Sequence, residues 1–263
     1  MTKPASLALL TACLSLICCA TAEPDGWQGK RAAVSLTYDD SLNVHLDTVA
    51  PALDSHGFHG TFYINGGFET VPKRLDEWRA LADEGHELGN HTLFHPCEGG
   101  RSGREWVQPA LDLTQWTPVR FHDNLVVNNT LLTAMDGRTE RTFAYPCGDT
   151  KAGGEDYVKS ITPLFTAARA VGGEALPLGK IDLMRIPSHM VYNDSAEKMT
   201  ALVDDAIERG AWLVFLFHGV GGEHDLNVDA KAHAALLDYL KAHQSELWVD
   251  SMQNIASYVR DAQ

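Results

Sequence analysis

Short apolar runs rich in β-branched and aromatic residues alternate along this chain with amphipathic stretches of helical period. Bounded runs of about four to eight such residues read as strands. The strands so predicted are AAVSLTY at 32–38, GTFYIN at 60–65, ELGNH at 87–91, TFAYP at 142–146, FTAARAV at 165–171, LMRIP at 183–187, WLVFLF at 212–217 and LWVD at 247–250. Helical stretches fall at 43–56, 75–84, 196–209 and 229–242, the last with Leu236, Leu237 and Leu240 on one face. Gly57, Gly85 and Gly210 follow three of these runs, where a left-handed cap needs glycine. Strand–helix alternation over the whole length predicts a parallel sheet with helices outside, doubly wound or closed into a barrel.

In both architectures ligands gather beyond the carboxyl ends of the strands, and the polar residues here concentrate there. Asp39 and Asp40 close the first run, His91 and His95 follow the third, and Tyr145 to Asp149 follow the fourth. Arg185 lies in the sixth and His218 ends the seventh. One such placement means little; five delivered to one face are hard to read as surface decoration.

The 263 residues, 44% of them hydrophobic, suit one large domain or two small ones. With 21 basic against 35 acidic residues the net charge is −14, which argues against a nucleic-acid partner and against docking on anionic lipid. The amino-terminal stretch has Lys3, an apolar run over 7–20 and the small-x-small site Ala20-Thr21-Ala22. It reads as a signal peptide, 1–22, leaving 23–263 as the mature domain in the periplasm or outside the cell. No other stretch is long and apolar enough to span a bilayer. Cys13, Cys18 and Cys19 leave with the leader, and Cys97 and Cys147 remain. An even pair in an oxidising compartment favours a disulfide over two buried thiols.

His91 and His95 stand four apart, so a turn can aim both imidazoles at one point. Two histidines and a carboxylate form a recurrent divalent-metal set that leaves positions open. Either Asp39 or Asp40 can complete it. The other then stays free as a base, the metal makes water more acidic, and His218 is suited to protonating a leaving group. The set assembles into metal-assisted hydrolysis of an acyl bond. The chain has neither a G-x-S-x-G elbow nor an H-E-x-x-H pair, and no G-x-G-x-x-G follows its first strand.

These motifs resemble the polysaccharide deacetylases of the NodB-homology type, carbohydrate esterase family 4. TYDD resembles the family's T-F-D-D block, HTLFH matches H-[ST]-x-x-H, FAYPCG resembles R-x-P-Y-G, and LFH matches the fifth block; the fourth is not readable. The resemblance, spanning 37–218, implies an α/β fold: an irregular (β/α) barrel of about seven parallel strands, fewer than the usual eight. It implies Asp39 as catalytic base, Asp40, His91 and His95 as ligands of one divalent metal (zinc, as is usual in the family), and His218 as general acid. Thr92 would orient the ligands. The Cys147 main-chain N–H, with Tyr145 beside it, would serve the oxyanion and substrate. Two departures stand out. The third-block arginine falls at Ala144, so Arg185 either fills its space from another strand or is an ordinary surface residue. Cys97 and Cys147 fall in adjacent blocks, which adds weight to a Cys97–Cys147 bridge.

The implied activity is that of a secreted deacetylase acting on an acetylated oligo- or polysaccharide, at N-acetyl or O-acetyl groups such as those of xylan. An amidohydrolase of small non-sugar amides is an alternative on the same barrel. A carbohydrate-binding pseudoenzyme is another, favoured by the missing arginine and opposed by the intact base, ligands and acid. Residues 98–129 are the expected seat of selectivity, with Trp106 and Trp116 able either to stack on sugar or to pack. His45, His233 and His243 read as solvated or capping, and His224 as a residue able to line the cleft.

Overall fold

The computed structural model describes Met1 and residues 26–263; the predicted leader, with Cys13, Cys18 and Cys19, lies outside the described residues apart from Met1. The longest strand contact joins β1 (Ala32–Asp39) to β8 (Ala211–Phe217), in parallel register from Ala33↔Trp212 to Tyr38↔Phe217. Every residue of both is buried; β8 accordingly reads as an unbroken apolar run, whereas β1 alternates from Val34 on, with Ser35, Thr37 and Asp39 as buried polar positions. The remaining strands of the main sheet are β2 (Thr61–Ile64), β3 (Glu87–Asn90), β4 (Thr142–Ala144), β5 (Ala167–Arg169), β6 (Leu176–Pro177), β7 (His189–Met190) and β9 (Leu247–Val249). Their order is β5-β4-β3-β2-β1-β8-β6, with β9 on the first half of β1 and β7 on β8. All pairings but that of β6 are parallel.

The predicted strand at 183–187 is broken. It reaches β5 through a single Arg169↔Ile186 bridge, with Ala168 and Ala170 donating to Leu183 and Ile186 carbonyls. Three residues further on, β7 pairs with Phe215 and Leu216 of β8. This irregular segment brings the two margins of the sheet together, giving the irregular (β/α) barrel of the NodB type.

Side-chain parity along β1 sets the site. Val34, Leu36 and Tyr38 join the large apolar cluster with Phe62, Phe215, Leu236 and Leu240, under the helices. Ala33 belongs to the inner cluster with Tyr63, Ala144 and Ala167. Ser35, Thr37 and Asp39 share its face, so the barrel interior becomes polar toward its mouth. The base of the barrel is closed by the carboxyl-terminal helix, whose Met252, Ile255, Ala256 and Val259 enter the inner cluster.

Helices cover the outside: α1 (Ala50–His56, preceded by a π turn at His45–Val49), α2 (Leu75–Asp83), α3 (Pro118–Asp136), α4 (Ala196–Arg209), α5 (Ala230–Ala242) and α6 (Met252–Ala262). Four match the predicted stretches; α3 and α6 were not predicted. Gly57 and Gly210 cap α1 and α4 at φ of 69° and 61°, conformations glycine adopts without steric cost. None of the described helices is long and apolar enough to cross a membrane.

Candidate active site

Asp39 ends β1 facing the barrel interior, and regular strand geometry would turn Asp40 outward to the helices. It does not, because Asp40 and Ser41 take φ of 80° and 52°. The left-handed turn swings the Asp40 carboxylate back over the mouth beside Asp39. It is held there in part by the Ser41 hydroxyl, which accepts from Asn65 N–H at 2.8 Å. Thr92, His95 and Cys147 are also left-handed, at 66°, 52° and 57°. Such backbone costs about 1–3 kcal/mol per residue and persists where surrounding contacts fix it, often at functional sites.

His91 Nδ1 lies 2.9 Å from the Ala144 carbonyl and must donate to it, so its Nε2 carries the lone pair. That Nε2 is buried with no partner, 3.7 Å from Asp40 Oδ1. His95 Nε2 is 3.6 Å from the same oxygen, which is likewise buried and unpartnered. Its Nδ1 faces Cys97 Sγ at 3.5 Å, an acceptor once that sulfur is in a disulfide. Thr92 Oγ1 accepts the His95 N–H at 2.9 Å, which fixes the turn between the two histidines. One donor atom from each of Asp40, His91 and His95 lies within 4.8 Å of the others. Two imidazole lone pairs and a carboxylate oxygen, converging without hydrogens between them, fit a divalent cation such as zinc.

Burial alone would raise both carboxyls. In Asp39 the Arg169 guanidinium, then His91 and His218, outweigh it and hold the group below its usual range. In Asp40 the four histidines His95, His91, His218 and His224 bring it to about 2. Desolvation pushes His91 down to about 4 and lowers His218 as well, so His91 rests neutral, the form that can bind a metal.

Arg185, expected to partner the base, does not reach it: its half-exposed guanidinium lies 3.5 Å from Asp156. The partner is Arg169, fully buried, with Nη2 2.5 Å from Asp39 Oδ2 and its guanidinium 5.1 Å over the Tyr63 ring. Arg169 lies in register with Ala144 on the adjacent strand. The arginine absent from the third block is thus supplied one strand over.

Cys97 and Cys147 form a disulfide. Around it the buried Asp149 carboxylate accepts from Glu98 N–H at 2.8 Å and Arg104 Nη1 at 2.6 Å, and Arg104 Nη2 donates to the Cys147 carbonyl. The 97–106 loop is therefore bolted to the strand-end turn at 146–149. It places the exposed Trp106 ring 6.3 Å from that of His95. Trp116 packs instead in a core cluster, with its indole N–H on the Ala110 carbonyl. Tyr145 borders the cleft, but its hydroxyl donates to the Met184 carbonyl and its ring is buried with Phe143 and Tyr157. His45 and His233, expected at solvated or capping positions, are buried: His45 Nε2 lies 3.0 Å from the His218 carbonyl, and His233 shares a hydrogen bond with Tyr38. The cleft, about 1190 Å³, is lined by Asp39, Asp40, His91, His95, His218 and His224 at its floor and by Trp106, Val171 and Met190 higher up.

A family model, Polysaccharide deacetylase, matches residues 28–162, just over half of the chain. The chain belongs to the polysaccharide deacetylase family. Among sequence relatives of this deacetylase-family chain, gellan lyase from a Bacillus species is 26% identical over 254 residues, covering 87% of this chain but 9% of that protein. The peptidoglycan-N-acetylmuramic acid deacetylase PdaA of Bacillus subtilis is 27% identical over 118 residues, covering 44% of this chain and 38% of PdaA. The chain thus spans well under half the length of these two relatives. The structure of a probable polysaccharide deacetylase from Pseudomonas aeruginosa PAO1 superimposes with a TM-score of 0.66 at 13% identity, covering 89% of this chain and 93% of that one. This likeness is one of fold.

Proposed function

We propose that residues 23–263 form an exported, metal-dependent carbohydrate deacetylase that hydrolyses N-acetyl or O-acetyl groups of an oligo- or polysaccharide. The observation that carries this reading is the convergence of Asp40, His91 and His95, with Asp40 Oδ1 and His91 Nε2 buried and unpartnered, beside an Asp39 pinned by Arg169. A divalent cation, zinc in this reading, held by those three groups would supply Lewis acidity toward water and the acetyl carbonyl.

The remaining steps belong to side chains of this chain. Asp39 is ionised, with Oδ2 on Arg169 and Oδ1 buried and free to accept a proton. It takes that proton as water adds to the carbonyl carbon. The main-chain N–H of Cys147, a left-handed residue that lines the cleft, serves in this reading as the donor to the developing oxyanion. His218 protonates the leaving nitrogen or oxygen as the acyl bond breaks, giving acetate and a free amine or hydroxyl. Trp106, on the rim above His95, offers a flat apolar face to a sugar ring.

The case for a binding-only protein rested on the missing third-block arginine, and Arg169 fills that need. The test is acetate release from chitooligosaccharide and acetylated xylan by protein of measured metal content. Metal-free protein that releases none, and recovers on adding one equivalent of zinc, supports the reading. A zinc-loaded chain inert on every acetylated glycan tried would refute it.

A further inference from the structure

His224 faces Asp40 from the side opposite the two ligating histidines. Its Nε2 is 3.6 Å from Asp40 Oδ2, whereas His91 and His95 face Oδ1. His218 shares the Oδ2 side, and its ring stacks on that of His224 with centroids 4.7 Å apart and 14° between planes.

The tautomer separates His224 from the ligands. Leu226 N–H donates to His224 Nδ1 at 2.9 Å, so that nitrogen carries the lone pair and the proton sits on Nε2. His91 has the opposite arrangement, donating from Nδ1 and baring Nε2. The two imidazoles are therefore built for different work: His91 offers electrons to a cation, and His224 offers a proton to the carboxylate that shares it.

Placement of His224 is not left to a loose loop. Glu223 accepts from Val44 N–H at 2.7 Å and from the Asn43 side chain at 2.6 Å, tying the loop to the start of the first helical segment. Gly222 N–H donates to the Asn227 side chain, and Gly219 N–H to the Leu226 carbonyl. Glu223 itself sits at φ 69°. The neighbouring residue is held on both sides.

We infer that His224 is a positioning residue: its Nε2–H, which faces the outer oxygen of Asp40 across 3.6 Å, closes to a hydrogen bond there when the inner oxygen binds the cation. Ligating carboxylates generally need such a partner, and losing one typically costs about 10- to 100-fold in metal affinity. The inference rests on the metal reading above.

Two substitutions isolate the donor. In His224→Asn the side-chain oxygen can still accept from Leu226 N–H, but nothing donates toward Asp40. In His224→Gln the amide nitrogen stands near the position of the imidazole Nε2 and restores the donor. Zinc affinity, measured by competition with a chromophoric chelator, is expected to fall about 10- to 100-fold in the Asn variant and to stay within about threefold of wild type in the Gln variant. Nitrogen-edited NMR of the metal-free protein is expected to show His224 protonated at Nε2, a readout independent of metal and of activity. Equal affinity in all three proteins, equal loss in both variants, or a proton on Nδ1 would each overturn the inference while leaving the metal site standing. Wild-type protein that binds no zinc would overturn both.

Discussion

Arg169 Nη2 lies 2.5 Å from Asp39 Oδ2, with both side chains buried, and the arginine's backbone pairs in register with Ala144 on the neighbouring strand. In a parallel sheet, residues in register on adjacent strands project from the same side at nearly the same height. An arginine can therefore move one strand along the barrel wall and still reach the same carboxylate. Removing it leaves Asp39 buried without its countercharge, and breaking a buried pair typically costs about 3–5 kcal/mol. Arg169→Met is expected to lower the unfolding free energy by about that much and to abolish acetate release. Arg185→Ala, which removes only a half-exposed pair, is expected to change stability by less than about 0.5 kcal/mol and to leave turnover within about threefold. If urea titration and acetate assays rank the two variants the other way, the Asp39 partner is misassigned.

The two adjacent aspartates should separate cleanly. Asp39→Asn retains the hydrogen bond from Arg169 but cannot accept a proton, and general-base catalysis is worth about 100- to 10,000-fold. Turnover is expected to fall by that factor with zinc still bound at one equivalent. His91→Ala removes a ligand and should lose both zinc and activity. Metal analysis after dialysis, beside acetate release, decides it; an Asp39→Asn protein that loses its zinc while remaining folded would reverse the roles of Asp39 and Asp40.

Much of this was legible in the residues, because strands buried on both faces announce themselves as apolar runs and their ends are where polar groups collect. The ends of β1 and β8, the turn after β3 and the positions of Asp39, Asp40, His91, His95 and His218 all follow from that. Arg169 was overlooked inside FTAARAV, although its signal was present: an arginine within an apolar strand must find a buried carboxylate. Helix α3 was hidden for a different reason. Its inward face, Phe121, Leu125, Leu132 and Met135, is interrupted by the buried Asn128, while Val119, Val126 and Val127 are exposed. Asn128 spends its amide on the Ile64 carbonyl and the Asn90 side chain, a tertiary use that no helical pattern displays. The Thr117 cap, Pro118 and Gly137 were the readable clues. The left-handed turn at Asp40 has no sequence signature, since strand parity assigns that residue to the opposite face.

The disulfide should matter to stability more than to chemistry. It closes a sequence separation of 50 residues, for which chain-entropy reasoning gives about 4 kcal/mol. The double variant Cys97→Ala, Cys147→Ala is expected to unfold at correspondingly lower urea. It should keep measurable turnover because Asp149 and Arg104 still tie the loop to the 146–149 turn. Adding Arg104→Ala to that double variant should then raise KM for a glycan substrate, as Trp106 loses its support. A double variant as stable as wild type would show that the bridge closes a loop already ordered in the unfolded chain.

Acid sensitivity of the metal-free protein should trace in part to His233, which lies outside the active site. It is fully buried against Tyr38 and Phe217, and desolvation lowers it from 6.5 to about 4. The unfolded chain therefore takes up a proton that the folded chain refuses between those two values. Stability is complete above about pH 6.5, declines as the pH falls toward about 4, and flattens below, where both states are protonated. A gap of that size corresponds to about 3 kcal/mol at full development. His233→Gln keeps a polar partner for the Tyr38 hydroxyl but cannot titrate, so its stability should fall less than wild type over the same range. Chelator-treated proteins compared by urea unfolding at pH 7 and at pH 4.5 provide the measurement. Because His45 is also buried and lowered to about 4, the variant is expected to retain part of the slope; an unchanged slope would mean that His233 is protonated in the folded protein too.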